Sequence, residues 1–440
     1  MRGGLHIANK KKAPRTQAIC LVPLLIFFTI DIVLTLIFGS FEANPTQTQD
    51  FDTKEEDRSR KIWESPEPTW SVTCDRAHFE YDICYINHPL TLDPTTVTLS
   101  SQDPTNTTPP LVEKIRPYPR KFQHNAMGSV KEVTLTTTSL YSPCTVTHAS
   151  PALVFSAGGF TSNIFHDFNE GFVPLFVTVD SFFVNQDVVL VITDCQDWWL
   201  DKYEKLLPHF TRHPIVNLDE ETATHCFPSA IVGLMSHGAM LTILDFRALL
   251  ASAYGGDGHI HSPPRPPTRP RLVLITRSHN RVLVNQDEVV QAAKDIGFDV
   301  VEIEPTRETP VGEMFRILDS SHAMVGVHGA GMTNELFLRQ GAVVMQIVPV
   351  KNSWLADICY GKLAVRLGLE YIVYDVAIEE SSLAENYPRD MLSAGGEKLM
   401  RDWSNWDIYM HQNVSINLAR FRRHLEKAYE KAKLFMQQET

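Results

Sequence analysis

The sequence predicts an α/β protein with parallel, doubly wound sheets in two domains. Three observations lead there. Short apolar runs rich in β-branched residues alternate with helical patterns through the C-terminal half, joined by short loops. The same alternation recurs upstream, over about 152–218. A Pro-rich connector, HSPPRPPTRP at 261–270, follows a Gly-rich patch (Gly255, Gly256, Gly258) and divides the two regions. At 440 residues the chain is long enough for two core-bearing domains.

The elements follow in order. Residues 1–17 carry Arg2, Lys10, Lys11, Lys12 and Arg15 ahead of any acid. Residues 18–38 are apolar apart from Asp31, with Pro23 and Thr29 as milder interruptions. That run is long enough to span a bilayer and too long for a signal-peptide core. No A-x-A cleavage site follows it; the chain passes into Gly39-Ser40-Phe41-Glu42. Basic residues before the span and acids after it place the N-terminus in the cytoplasm. The expectation is a single-pass signal anchor with the bulk of the chain lumenal or extracellular; the alternative is an uncleaved or cryptically cleaved signal peptide. Residues 39–71 are polar, charged and poor in aliphatics, as a stem is.

The first domain is placed at 72–260. Strands are expected over 152–156, 188–193 and 215–218, and helices over 162–172 and 198–207, the first capped by Thr161 or Ser162. After the 261–270 linker the second domain covers 271–414. It opens with a strand over 271–275. A helix over 286–296 follows, with Asn285 as N-cap, Glu288 three positions on and Gly297 at its end. A strand over 298–303, a helix opened by Thr309 and Pro310, a strand over 323–327 and a strand over 342–348 complete the pattern. Residues 415–440 are a terminal segment, mostly one long helix, expected to pack back across both domains.

Candidate chemistry gathers at strand ends. AMVGVHGAGMTN (323–334) is a buried strand feeding His328-Gly329-Ala330-Gly331, with a helix starting near Met332 and running past Thr333 and Asn334. Glycine lets a backbone approach a ligand, and a helix N-terminus favours an anion. Arg277 and Arg281 lie just past the 271–275 strand. Their planar guanidiniums suit bidentate contact with phosphate. Ligands of such sheets bind outside the strand C-terminal ends, so the arginines and the His328 loop can converge. Trp354 and Asp357 offer a weaker signal for the same crevice. Upstream, His166 and Glu170 are four residues apart on one helix face, the arrangement of an oriented general base. On spacing alone a surface pair worth a few tenths of a kcal/mol is the more frequent outcome. Asp167 is the alternative base, about 100° around the helix.

Absences narrow the reading. There is no Walker A and no G-x-G-x-x-G, which disfavours an ATPase or a dinucleotide dehydrogenase. Without a C-x-x-C no zinc site is expected. Asp50-Phe51-Asp52 has the spacing of a metal-binding D-x-D but falls in the stem, with no strand before it. No metal is therefore expected. The net charge of −12 argues against nucleic acid as a partner. Cys20 lies in the span, and the six remaining cysteines predict disulfides, with Cys74 and Cys84 the favoured local pair. Asn106-Thr107-Thr108 and Asn413-Val414-Ser415 are N-glycosylation acceptors.

Six stretches together resemble glycosyltransferase family 61: CDRAHFEYDIC (74–84), KIRPYPRKFQHNAM (114–127), NIFHDFNEGFVPLF (163–176), TRSHNR (276–281), VEIEP (301–305) and VGVHGAGMTNELFL (325–338). The resemblance runs from about Cys74 to the C-terminus and is closest to plant, Golgi-resident members. It implies a single-pass type II Golgi membrane protein with a lumenal catalytic domain. It implies a GT-B architecture: two Rossmann-like domains facing a cleft, the first binding acceptor and the second nucleotide sugar. It implies inverting, metal-independent transfer from a UDP-sugar, with no cofactor. Similar plant members add arabinofuranose or xylose to xylan, so pentosyl transfer to a xylan-type cell-wall polysaccharide is expected. The alternatives are a xylosyl- or N-acetylglucosaminyltransferase acting on glycoproteins, and a non-enzymatic lumenal polysaccharide-binding scaffold of the same fold. The implied partners are the UDP-sugar, a xylan or glycan acceptor, the Golgi membrane and Golgi complexes. The family pattern lands on Asn163, Phe165, His166, Phe168 and Glu170, on Thr276 and Arg277, and on His328, Gly329, Ala330, Gly331, Thr333 and Asn334. The resemblance reverses the balance at His166 and Glu170: His166, held by Glu170, is expected to take the acceptor proton. Arg277, Arg281 and the 329–334 loop are expected to hold the departing diphosphate.

Overall fold

The apolar runs of the C-terminal half are five strands of one sheet in the computed structural model of the chain. The order is Asp299–Ile303, Arg271–Ile275, Ala323–Val327, Val343–Val348 and Glu370–Asp375, and every pair is parallel. Side chains alternate between two faces with period two. Leu272, Leu274 and Val325 pack with Val289, Val290 and Ala293 of helix Gln286–Ile296 and with Phe421 and Leu425 of helix Leu418–Gln438. Val273, Ile275 and Met324 point the other way, to Val311, Phe315 and Leu318 of helix Val311–Asp319. With both faces covered, the strands need no polar face, which is why they read as continuous apolar runs. The strand order reverses at Arg271–Ile275 and Ala323–Val327, so the loops after these two strands diverge and open a crevice between them.

The structure describes residues 72–102, 111–138, 143–236, 243–256, 268–393 and 406–439. The expected tail, span and stem (1–71), Asn106 and most of the 261–270 linker lie outside them. Among the described residues no helix is long and apolar enough to cross a membrane.

The first half holds two six-stranded sheets, where sequence patterning suggested only the parallel part of one. In the first sheet Ala230–Val232, Ala152–Ser156, Val189–Thr193 and Val216–Asn217 run parallel, and Ile83–Ile86 and Thr73–Asp75 extend it antiparallel. The second is mixed and includes Leu90–Asp93, Thr98–Gln102 and Val133–Thr138. Cys74 pairs with Cys84 directly across the Thr73–Asp75 and Ile83–Ile86 ladder. A second disulfide joins Cys144 to Cys226, while Cys195 and Cys359 are free thiols.

Several expected elements shift. The 198–207 helix ends early, at Asp197–Lys202, and a short 3₁₀ turn with Pro208 follows at Leu207–His209. Asn285 sits at the N-cap position but makes no capping bond. Its Oδ1 accepts the Ile416 N–H (2.8 Å), and its amide donates to the Ile416 carbonyl (2.9 Å) and to Glu288 (3.0 Å). It therefore ties the terminal segment to the sheet. The terminal helix itself does not lie across both halves. It packs on the second sheet, burying Phe421, Leu425, Ala428 and Ala432 against it.

The described residues fall within one unit, and a single apolar cluster joins the two halves. Phe168 of the first half meets Phe337 of the second, centroids 6.0 Å apart. Arg247 of helix Ile243–Tyr254 donates to the carbonyls of Leu338 (3.1 Å) and Phe337 (3.2 Å) and pairs with Asp319.

Candidate active site

Strand Ala152–Ser156 ends in a turn that needs glycine. Gly159 has φ +65, and a Cβ there would strike the Tyr118 ring. The Tyr118 hydroxyl in turn accepts the Phe160 N–H at 3.3 Å. The following helix is capped not by Thr161 or Ser162 but by Asn163, whose Oδ1 accepts the Phe165 N–H at 3.0 Å. The helix is α over Ile164–His166 and again over Val173–Phe182. Asp167–Phe172 is a π-turn, a widened stretch that recurs at functional sites.

That turn sorts the three candidate side chains. Asp167 points inward: its carboxylate accepts the Tyr203 hydroxyl (2.8 Å) and the Ser162 N–H (3.2 Å). Burial raises its pKa against those two bonds. Its oxygens thus serve the fold, and the structure does not bring this alternative base to the reacting side. His166 remains 23% exposed at its side chain, while that of Glu170 is 1% exposed. Glu170 accepts from His166 Nδ1 at 2.6 Å. It also accepts from Asn169 Nδ2 at 2.5 Å, from Arg120 Nε at 2.8 Å and from Arg120 Nη2. Burial pushes the Glu170 carboxyl up, but the His166 bond and the Arg120 charge outweigh it and hold the carboxyl below the usual range. An ionised carboxylate only accepts, so Nδ1 carries a hydrogen, and in the neutral ring the lone pair is on Nε2. The imidazole is thereby oriented to take a proton at Nε2. Phe160 (4.7 Å) and Phe165 (5.2 Å) flank its ring.

Sequence reasoning assigned no role to Arg120. A buried glutamate requires a cation, but R-P-Y-P-R-K supplies three, and the sequence does not show which of them reaches Glu170.

On the second sheet the two expected arginines come together beside the His328 loop. Arg281 has φ +58, and its Nη2 lies beside the Arg277 guanidinium at Gly329. Arg277 Nε donates to the Asn280 carbonyl at 2.8 Å, and its Nη1 lies where a Cβ on Gly329 would be. Arg281 Nη1 meets only Met410 Sδ, at 3.5 Å, and its Nε is buried without a hydrogen-bond partner. Among the described residues no carboxylate forms an ion pair with either guanidinium, whereas Glu304 spends an oxygen on Ser278. Burial lowers both pKa values. At Arg281 the Arg277 charge adds to burial and pushes the value down to about 10, still cationic at neutral pH. Two adjacent cations with no counter-ion form a site for an anion.

His328 contributes a donor without a charge. Gln346 fixes it: the Tyr371 hydroxyl donates to Gln346 Oε1, so the Gln346 amide nitrogen donates to His328 Nδ1 at 2.8 Å. The ring hydrogen then sits on Nε2. Burial, with the charges of Arg281 and Arg277, pushes the His328 pKa down to about 3, so the ring stays neutral.

The rest of the loop differs from expectation. The segment after Gly329 is not an α-helix starting near Met332 but a 3₁₀ helix, Ala330–Phe337. Ala330 and Gly331 are partly exposed, with Gly331 packed so tightly that a Cβ would meet Ile275 Cγ2 at 2.7 Å. Thr333 and Asn334 are buried, and Asn334 Nδ2 donates to the Gly331 carbonyl at 2.8 Å. Asn334 therefore shapes the turn from behind. Glu335 is fully buried with neither oxygen bonded, and burial raises its pKa well above the usual carboxylate value. Asp357 is exposed, 4.0 Å from Lys362. Asn413, the described glycosylation candidate, is half-buried, its Oδ1 accepting the Val282 N–H at 3.0 Å.

One residue missed in the sequence joins the two clusters. The Tyr360 ring stands 5.7 Å from Phe165 and 5.5 Å from His328, both edge-on. The His166 helix and the arginine crevice thus face one another across a single aromatic side chain. Among the described residues no group of three or more His, Cys, Asp or Glu side chains is placed to hold a metal ion.

The chain is similar to known glycosyltransferases. The family profile described as glycosyltransferase 61 matches residues 133–345, which include His166, Glu170, Arg277, Arg281 and His328 but not Arg120, Gln346 or Tyr360. A xylan glycosyltransferase of Arabidopsis thaliana, MUCI21, is 35% identical over 396 residues, covering 82% of this chain and 80% of that protein. A beta-1,2-xylosyltransferase of rice (Oryza sativa subsp. japonica), XYXT1, is 36% identical over 339 residues, 72% of this chain and 71% of its own length. The rice alpha-1,3-arabinosyltransferase XAT3 is 34% identical over 330 residues, and the match spans 57% of that longer protein. Among solved structures, the heptosyltransferase TibC covers 85% of this chain at 12% identity, with a TM-score of 0.29 that carries no weight here.

Proposed function

This chain belongs to glycosyltransferase family 61, and from that premise we propose that it transfers a pentose, arabinofuranose or xylose, from a UDP-sugar to a xylan-type polysaccharide. The observation that carries the mechanism is the meeting of His166–Glu170 and Arg277–Arg281–His328 across Tyr360. The acceptor hydroxyl gives its proton to His166 Nε2 as its oxygen bonds to the anomeric carbon. The bond from that carbon to the phosphate oxygen breaks, and UDP leaves with the electron pair. Arg277, Arg281 and the His328 Nε2–H take up the charge developing on the diphosphate. A single displacement inverts the anomeric centre. Two cations and a neutral donor can do the work of a metal at the leaving group, so the reaction is proposed to be metal-independent.

In this reading the two halves form a GT-B architecture: the first half binds the acceptor and the crevice of the second binds the nucleotide sugar. The chain is a type II Golgi membrane protein held by the 18–38 span, with this unit in the lumen. The choice of pentose follows the related xylan enzymes.

The test is to incubate the lumenal region with a panel of UDP-sugars and xylan oligosaccharides, with and without EDTA, and to weigh the products. A gain of one anhydropentose that survives EDTA is expected. Activity abolished by EDTA and restored by Mn²⁺ would overturn metal independence. Transfer of N-acetylglucosamine to glycoprotein in place of pentose would move the chain to the other acceptor class. Failure to bind UDP would make it a scaffold.

A further inference from the structure

The loop between strands Thr73–Asp75 and Ile83–Ile86 presents Phe79, which is 52% exposed. The loop after strand Val112–Ile115 presents Phe122, which is 47% exposed. The two rings are near-parallel, 27° between planes with centroids 6.3 Å apart. His78 stacks behind Phe79 at 5.0 Å and on Tyr81 at 4.1 Å, which extends the aromatic row into the fold.

These loops are braced. The Cys74–Cys84 disulfide closes the first at its base. Lys121 Nζ crosses from the second loop to the Arg76 carbonyl (2.8 Å) and to Asp82 (2.9 Å), and its N–H donates to the Glu80 carbonyl at 2.8 Å. Arg76 bonds Asp82 (2.6 Å) and Glu113 (2.9 Å). Covalent and ionic bracing therefore holds two apolar rings in solvent, in a fixed mutual orientation, where folding alone gives no reason for them.

The patch is continuous with the catalytic machinery. Phe122 is two residues after Arg120, a span of at most roughly 7 Å, and Arg120 holds Glu170 behind His166. In the same segment Tyr118 anchors Phe160, whose ring flanks His166. We propose that Phe79 and Phe122 are an acceptor subsite, stacking on the pyranose rings of a polysaccharide chain at some remove from the reacting sugar. This assignment rests on the glycosyltransferase reading.

The chemistry favours a carbohydrate over a second copy of the chain. A pyranose presents a flat C–H face with hydroxyls at its edge. The patch offers flat rings rimmed by Arg76, Glu80, Lys121 and Asp82, which can meet those hydroxyls. Two half-exposed phenylalanines can bury only about 200 Å², whereas a stable protein interface takes about 1,200–2,000 Å².

The experiment compares wild type with Phe79→Ala/Phe122→Ala and with Phe79→Trp, using xylan oligosaccharides of increasing length. In wild type KM should fall with acceptor length. In the double alanine variant KM for long acceptors should rise about tenfold, to the short-acceptor value, with kcat and the KM for the UDP-sugar unchanged. Phe79→Trp should keep the length effect. Loss of the length effect in Phe79→Trp, or KM values in the double variant equal to wild type at every length, would overturn the subsite. Binding of the same oligosaccharides without donor, by calorimetry, separates this from the transferase reading. Binding lost in the double variant supports the subsite even where no transfer is detected, and equal binding by both proteins overturns it. A sedimentation change in the double variant would assign the rings to a contact between copies instead. Both side chains are half in solvent, so an unchanged Tm is expected to accompany every arm.

Discussion

At His166 the chemistry depends on which ring nitrogen is free. Glu170 takes Nδ1–H, the His166 bond and Arg120 hold the Glu170 carboxyl below the usual range, and Nε2 is the nitrogen left for the proposed base. The three residues have separable roles, so their variants should fail differently. His166→Ala removes the proton acceptor and should lower kcat by about 10²–10⁴-fold. UDP affinity should be nearly intact, because the arginines lie on the other sheet. Glu170→Gln keeps a partner at Nδ1 but loses the charge that favours a protonated imidazole, so its loss should be smaller. Steady-state kinetics with UDP binding in parallel makes the check. A dead Glu170→Gln beside an active His166→Ala would make the carboxylate the base. Full turnover in both, with folded protein, would reduce the pair to the surface contact that four-residue spacing alone predicts. The spacing of His166 and Glu170 was legible in the sequence because i, i+4 geometry is local. Arg120 and Tyr360 were not, since each reaches the site from a distant segment and only the fold sets that distance.

At the scale of elements, the Gly329 turn joins the strand Ala323–Val327 to the arginines. Its φ is +151, and the Arg277 guanidinium occupies the space of a side chain at that position. Gly329→Ala should therefore displace Arg277 and strain the backbone together. UDP affinity should fall at least as far as in Arg277→Ala, which deletes a charge-assisted contact worth about 1.5–3 kcal/mol. Titration calorimetry would measure this, and an affinity equal to wild type would mean that the diphosphate sits elsewhere. The HGAG motif announced a tight turn, and a tight turn is there. The α-helix expected beyond it was wrong in type: Ala330–Phe337 is wound as 3₁₀, with Asn334 bonded back to Gly331. Periodicity separates poorly between 3.0 and 3.6 residues over so short a run. Parallel strands were readable because burial on both faces leaves a pure apolar run. The mixed sheet of the first half was not, because strands such as Thr98–Gln102 (TLSSQ) are polar and are held by their neighbours.

Across the whole molecule, the two halves share one apolar seam through Phe168 and Phe337, and the buried histidines couple its stability to pH. His328 and His322 are both buried. Burial and nearby arginine charges push the first down to about 3, and burial with the charges of Arg339 and Arg271 pushes the second down to about 4. An unfolded histidine titrates near 6.5. Between that value and the folded one, the unfolded chain binds a proton that the folded chain refuses, so stability falls as pH falls. Each histidine contributes a slope of up to about 1.4 kcal/mol per pH unit, which begins below pH 6.5. Glu170 acts in a different window. Its folded pKa is depressed, so its contribution is present above the unfolded carboxylate value and is lost only as pH drops through the folded one. Glu335 and Asp167, whose carboxyls burial raises, act with the opposite sign above the unfolded carboxylate value, so the histidine contribution is read from the difference between wild-type and variant melts over pH 6.5 to 4.5. His322→Asn tests the assignment, because an amide oxygen can replace Nδ1 as acceptor of the Arg271 N–H. That variant should be flatter with pH over the same window while keeping its neutral-pH Tm. A variant slope equal to wild type would remove His322 from the account.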